Sequence, residues 1–297
     1  MKQLICEMCG GKELIKQDGI FVCQSCGTKY SVEDAKKMMV TIDTSAKIEN
    51  ALKNARRAKE CHDYEQAEKY YGIAQMEDAE NWEAFFYNTY CKAMSQTPIQ
   101  GAFDIANCIE NVLKSIKKMN DDILQNEAIK LMSTDLFTFA SLAYGTIING
   151  YNSTKRFYTL DKRVEYVNET RGKTALLDGL LTVFVEKLIL EFGENEFTTS
   201  IKAQCYETLL KLAKELYNST TEPDCDESNF NKLLQKYTDE LKKIKPKSEV
   251  LKDMENDSFL DSFHTSEKET SLSVWNILAI GIIVFGLLRI LFGVFFE

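Results

Sequence analysis

The sequence predicts a mainly α-helical protein with a small β module near its start and one apolar helix near its end. Three observations carry this. Only 3 Pro and 14 Gly stand in 297 residues, too few breakers to interrupt long helices often. Two C-x2-C pairs fall within the first 26 residues. A run of 23 residues, Val274–Phe296, carries one charge. With 36 Lys and Arg against 45 Asp and Glu, the chain has a net charge of −9. That balance makes nucleic acid a poor default partner.

The module comes first. Its spacing is C-x2-C-x13-C-x2-C, through Cys6, Cys9, Cys23 and Cys26. Zinc takes four soft ligands in a tetrahedron, and each tight C-x2-C turn offers two thiolates to one ion. The 13 residues between the pairs fit a hairpin: Glu13–Lys16, a turn at Gln17-Asp18-Gly19, then Ile20–Val22. Gly10 and Gly27 each follow a pair and let backbone N–H groups curl toward the thiolates. The rival readings are weaker. A thioredoxin-like C-x2-C needs a βαβ context, which is missing here, and two disulfides need an oxidising compartment. Four thiolates fill the shell of one structural Zn2+ and leave no open position for catalysis. Between Met1 and Val40 six Lys face five Asp and Glu, which is no basic patch.

The segments CEMCGG and CQSCGTKYS resemble the two knuckles of a bacterial zinc ribbon of the transcription-factor-IIB type. That likeness is specific for zinc ribbons in general and not for transcription. Ser31-Val-Glu-Asp34 then reads as a helix N-cap with an acidic N3 residue, so the ribbon (1–40) ends in a short helix, Val32–Met39.

Residues 41–46, TIDTSA, read as a polar break before an all-helical domain at 47–245. Within it, DYEQAEKYY resembles the turn and second helix of a tetratricopeptide repeat, with Ala67, Tyr71 and Ala74 at helical contact spacing. The likeness covers roughly 48–95. It departs from the repeat at His62, where Gly is common, and at Ala79, where Pro is common. A following helix is expected from Asn81-Trp82. Later stripes are plainly amphipathic: Cys205, Leu209, Leu212 and Leu216, and Leu177, Leu180, Leu181, Phe184 and Leu188. Breaks are expected near Pro98, Gly150, Gly193, Pro223 and Pro246, giving about seven helices in antiparallel pairs. Phe85-Phe86-Tyr87 and Tyr70-Tyr71 fit either a core or a peptide groove, core being the commoner role.

No catalytic constellation emerges. His62 and His264 are far apart, and Cys61, Cys91, Cys108, Cys205 and Cys225 stand singly. No phosphate loop, HExxH or GxSxG occurs. The chain therefore reads as a non-enzyme with no small-molecule substrate implied. The most basic stretch, Lys155-Arg156, Lys162-Arg163, Arg171 and Lys173, reads as a solvated helix face with acidic neighbours, or as a site for a phosphate or lipid head group.

Residues 246–273 read as a flexible acidic tether: Lys247–Ser273 holds seven Asp and Glu against three Lys. Its apolar residues, Val250-Leu251 among them, suggest a short docking helix. At ~1.5 Å per residue, Val274–Phe296 spans roughly 34 Å, enough for a bilayer core. Trp275 is placed as an interfacial anchor. Ala279, Gly286 and Gly293 form a small-residue stripe, and Arg289 shares that face. Arg289 either snorkels to the far head groups or meets a polar group on a partner helix.

With no signal peptide in view, these readings expect a single-pass, tail-anchored protein of the inner membrane. Its body lies in the cytoplasm, tethered to the lipid bilayer. Such a chain is an adaptor or scaffold for protein partners. The alternative is a membrane-anchored nucleic-acid-binding or transcription-regulatory protein that uses the ribbon. The resemblance implies a bacterial family with an N-terminal zinc ribbon, a tetratricopeptide-like region and an optional membrane helix, and implies no specific activity.

Overall fold

The computed structural model describes residues 4–17, 19–222, 225 and 227–256, with the side chains of 36–44 and 256 outside the description. The fold is mainly helical with one small antiparallel sheet. Strands β1 (Leu14–Gln17), β2 (Ile20–Cys23) and β3 (Lys29–Tyr30) lie in that order. Gln17 pairs with Ile20 and Leu14 with Cys23, so a two-residue connection closes the hairpin one residue later than expected. Phe21 pairs with Tyr30, which lays β3 on the second edge of β2.

Helix α1 (Val32–Glu60) starts at a capping box. Ser31 accepts from the Asp34 backbone N–H, and the Asp34 carboxylate receives the Ser31 N–H. The expected stop at Met39 and break at 41–46 are corrected: α1 runs through both as one helix of 29 residues. Thr, Ser and Asp lower helix propensity by only a few tenths of a kcal/mol each. No Gly or Pro stands between 32 and 60 to end the helix.

Next come α2 (Tyr64–Glu77) and α3 (Trp82–Met94), capped by the Asp63 and Asn81 side chains. Helix α1 packs on α2, and α2 on α3. Ala55, Ala67, Tyr71, Ala74 and Ala84 are fully buried at these contacts. The α1–α2 turn puts His62 at φ +60°, the left-handed region, where the repeat commonly has Gly. Tyr71, Phe86 and Tyr87 are buried and belong to the core, while Tyr70 and Phe85 are half-buried.

The longer helices are α4 (Pro98–Lys117), α5 (Asp122–Thr154), α6 (Leu160–Phe192), α7 (Glu196–Thr220) and α8 (Ser228–Ile244). A short 3-10 turn, Lys155–Phe157, follows α5. Pro98 occupies the first turn of α4, and Gly193 ends α6 at φ +74°. Gly150 does not break α5, which continues to Thr154. A lone helical Gly costs about 1 kcal/mol relative to Ala. Burial of the adjacent Ile148 and Tyr151 offsets that. Both expected stripes are buried: Cys205, Leu209, Leu212 and Leu216 on α7, and Leu177, Leu180, Leu181, Phe184 and Leu188 on α6.

Among the described residues one helix, α5, is long and apolar enough to cross a membrane. It packs against α4, α6 and α7 and buries Ile129, Met132, Leu136 and Tyr144. The tether expected from 246 is corrected at its start, because α9 (Glu249–Asn256) is helical. Ser248, Val250 and Leu251 are buried, and Ser248 donates to Glu207 at 2.6 Å. The chain divides into two compact units, Met1–Lys252 and Asp253–Glu297. The rest of the expected tether, His264, and Val274–Phe296 with Ala279, Gly286, Arg289 and Gly293 lie outside the described residues.

Candidate metal centre

Each C-x2-C pair closes the same local turn. In the first, Gly10 donates its N–H to Cys6 O at 2.8 Å, and Cys6 donates to Gly11 O at 2.8 Å. In the second, Gly27 donates to Cys23 O at 2.8 Å, and Cys23 donates to Thr28 O at 2.9 Å. Gly10 and Gly27 reach φ +70° and +72°, a turn that an L side chain resists. The sheet then brings the turns face to face, because Cys23 ends β2 and Gln24 donates to Glu13 O at 2.9 Å.

The four sulfurs converge. Cys6 Sγ lies 3.5 Å from Cys26 Sγ, and Cys9 Sγ lies 3.6 Å from Cys23 Sγ. All four lie within 4.8 Å of one another. A regular tetrahedron with Zn–S near 2.3 Å has edges of about 3.8 Å, so the set fits one tetrahedral ion. Cys6 and Cys23 are buried, Cys9 and Cys26 exposed. The donor set can hold a metal ion, and zinc suits four thiolates.

Two hydroxyls reach these sulfurs. Tyr30 Oη lies 3.1 Å from Cys6 Sγ, and Thr28 Oγ1 lies 3.1 Å from Cys26 Sγ. The Tyr30 hydroxyl holds the Cys6 thiol down to about 6, and the Thr28 hydroxyl lowers Cys26. In return Cys6 raises Tyr30 to about 12. At Cys9 a Gly11 backbone bond favours the thiolate, but bonds with the other thiols and desolvation push it up to about 12. The hydroxyls act as outer partners that orient and stabilise two of the four ligands. Sequence reading missed them, although they stand two and four residues after Cys26.

The remaining sequence candidates lie elsewhere. Cys91, Cys108 and Cys205 are buried, and burial pushes the first two up to about 12. Such thiols are inert packing groups. Cys61 and His62 are exposed at the α1–α2 turn, and Cys225 is half-buried. The basic stretch divides. Arg171 holds Glu227 through both oxygens at 2.8 and 3.0 Å, and Lys173 pairs with Glu169 one turn away.

A buried acid also escaped sequence reading. Asp178 on α6 is 5% exposed and accepts from the Tyr144 hydroxyl of α5; Tyr237 of α8 bonds it as well. Desolvation raises its carboxyl to about 7 against the pull of both hydroxyls. Its signal was its place on the apolar stripe, three residues before Leu181 and seven before Val185. A second polar knot joins α1, α3 and α5. Asp135 accepts from Lys59 at 2.8 Å and from the Tyr87 hydroxyl at 2.7 Å. Both knots tie helices together. Neither resembles a nucleophile–base arrangement.

Comparisons with protein-family models, with curated proteins and with solved structures return no match for this chain.

Proposed function

We propose that the protein is a membrane-tethered cytosolic adaptor whose zinc ribbon and helical body bind protein partners. The observation that carries this reading is the closed four-thiolate set on a ribbon that exposes three large apolar side chains and no cationic stripe. Four sulfurs within 4.8 Å suit a structural ion and leave no coordination site for substrate. Around them Ile5, Met8 and Ile15 are exposed, and Lys12, Lys16 and Lys29 are interspersed with Glu7 and Glu13. Exposed aliphatic side chains without a cationic stripe suit a protein surface better than a phosphate backbone. The tail Val274–Phe296 supplies the tether and places the body at the cytoplasmic face of the inner membrane.

The test is crosslinking in intact membranes followed by mass spectrometry. It compares the full chain, a chain ending at Ser273 and a Cys23→Ser variant. The adaptor reading expects both changes to lose the same partners. Salt-sensitive DNA or RNA binding by the full chain, abolished by Cys23→Ser, would replace it with the nucleic-acid reading.

A further inference from the structure

The turn between α5 and α6 joins exposed apolar residues to a local excess of cations. Two 33-residue helices, each roughly 50 Å long, meet there. At their junction Phe157 is 73% exposed, Leu160 43% and Tyr158 37%. Several exposed apolar residues elsewhere have acidic company. Met76 and Leu190 stand singly beside Glu77 and Glu191, and Ile123 and Leu124 follow Asp121 and Asp122. Scattered single residues need no explanation, but a cluster at one tip does.

The charge at the tip opposes that of the chain. Residues 155–163 hold Lys155, Arg156, Lys162 and Arg163 against Asp161, in a protein of net charge −9. Among the described residues, Glu165 stands one turn into α6, and Glu222 takes Arg163 at 3.7 Å. Lys155 and Arg156 lie over aromatic rings instead: Lys155 Nζ is 5.2 Å from the Tyr151 ring, and Arg156 Cζ is 4.8 Å from the Phe157 ring. The cations therefore flank the apolar residues.

The tip is also braced. Tyr166 packs on Tyr151 at 5.5 Å and on Tyr158 at 5.3 Å, and Arg163 donates to Tyr158 O at 3.2 Å. Tyr151 is fully buried. These contacts fix the turn that carries Phe157 and Leu160, so docking there loses little backbone freedom.

We propose that this tip is a second membrane contact: Phe157, Tyr158 and Leu160 enter the head-group region of an anionic bilayer while Lys155, Arg156 and Lys162 meet lipid phosphates. Aromatic and aliphatic side chains flanked by Lys and Arg are the chemistry of interfacial membrane binding. The proposal rests on the tethered reading, which already brings the body to a bilayer. With both contacts, the body is oriented on the surface and does not hang freely.

The experiment uses the full chain in vesicles of phosphatidylcholine, with or without phosphatidylserine, carrying bromine on the acyl chains. Bromine quenches nearby tryptophan. The wild type reports the tail through Trp275, while Trp82 in the body serves as background. Phe157→Trp adds a reporter at the tip. The added signal is expected to be quenched in anionic vesicles and spared in neutral ones. Lys155→Glu with Arg156→Glu, in the same background, should release it, since each cation near an anionic surface raises partitioning about fivefold. If the added signal stays unquenched while Trp275 is quenched, the tip proposal falls and the tether stands. If Trp275 stays unquenched, the tether fails, and the added signal still decides the tip by itself. Equal quenching of that signal in neutral and anionic vesicles would overturn the role given to the cations.

Discussion

Among the described residues from 4 to 30 only Cys6 and Cys23 are buried, and both are candidate metal ligands. Between α2 and α7 the body buries Tyr71, Phe86, Ile105, Ile109, Leu113, Phe184 and many more. A fully buried Leu, Ile or Phe contributes roughly 1.5–3 kcal/mol, so a body of this size offsets its ordering entropy by area alone. The described ribbon has no such core, and an ion held by its four thiolates is what could supply the missing order. The difference teaches where each region is vulnerable. Chelation strikes one and cavity formation the other.

The largest expected effect breaks the ribbon alone. Structural zinc in small domains carries about 10–16 kcal/mol of apparent binding energy, all of it coupled to folding. Removing the metal, or Cys23→Ser, should therefore collapse the amide chemical-shift dispersion of residues 14–30. Far-UV circular dichroism, dominated by α1–α8, should stay nearly constant. A chelator that melts the helices at the same concentration would show that the two regions are not independently held.

The converse is Phe86→Ala. Phe86 is fully buried among Tyr87 and Tyr90, with centroids at 4.9 and 5.9 Å. Truncating a core Phe typically costs about 3–5 kcal/mol. The urea midpoint of the helical signal should fall accordingly, while zinc affinity measured by chelator competition stays at the wild-type value.

Asp178 sharpens the comparison, because here the body depends on protons. Its carboxyl is raised by burial to about 7, so the native state holds the proton more tightly than the unfolded chain does. The stability from that proton is fully present below the ordinary carboxylate range and is lost as pH rises through about 7. The decline from pH 4 to pH 8 should be on the order of a few kcal/mol. Asp178→Asn should flatten it, as read from urea midpoints across that range. A wild-type profile already flat would mean that the Tyr144 and Tyr237 hydroxyls hold the ionised form.

What was legible in the sequence follows the range of the interaction that sets each feature. The knuckles, the Ser31–Asp34 capping box, the Pro98 start and the Gly193 stop are decided within about five residues, and all appear where local chemistry puts them. Helical stripes such as Cys205–Leu216 are set by one helix meeting a core. The misreading at 41–46 lies where weakly unfavourable propensities, with no Gly or Pro among them, do not suffice to end a helix, and the break expected near Gly150 comes a few residues later, after Thr154. Asp178 was missed because its partners, Tyr144 and Tyr237, stand 34 residues before it and 59 after. The Tyr30 hydroxyl on Cys6 needed the β2–β3 register to bring it there.

The smallest effect tests a place where local chemistry and the observed backbone conflict. His62 sits at φ +60°, a conformation costing an L residue about 1–2 kcal/mol. His62→Gly removes that strain, but it frees the unfolded chain by roughly 0.5–1 kcal/mol. It also loses the edge contact to Tyr64 at 6.1 Å. The balance predicts a gain of about 0.5 kcal/mol, seen as a higher urea midpoint at unchanged slope. His62→Ala separates the contributions, because it loses the ring contact and keeps the strain, so it should be neutral or slightly destabilising. If Ala proves more stable than Gly, strain does not limit this turn. The Tyr64 contact and the Asp63 cap would then be what hold α1 to α2.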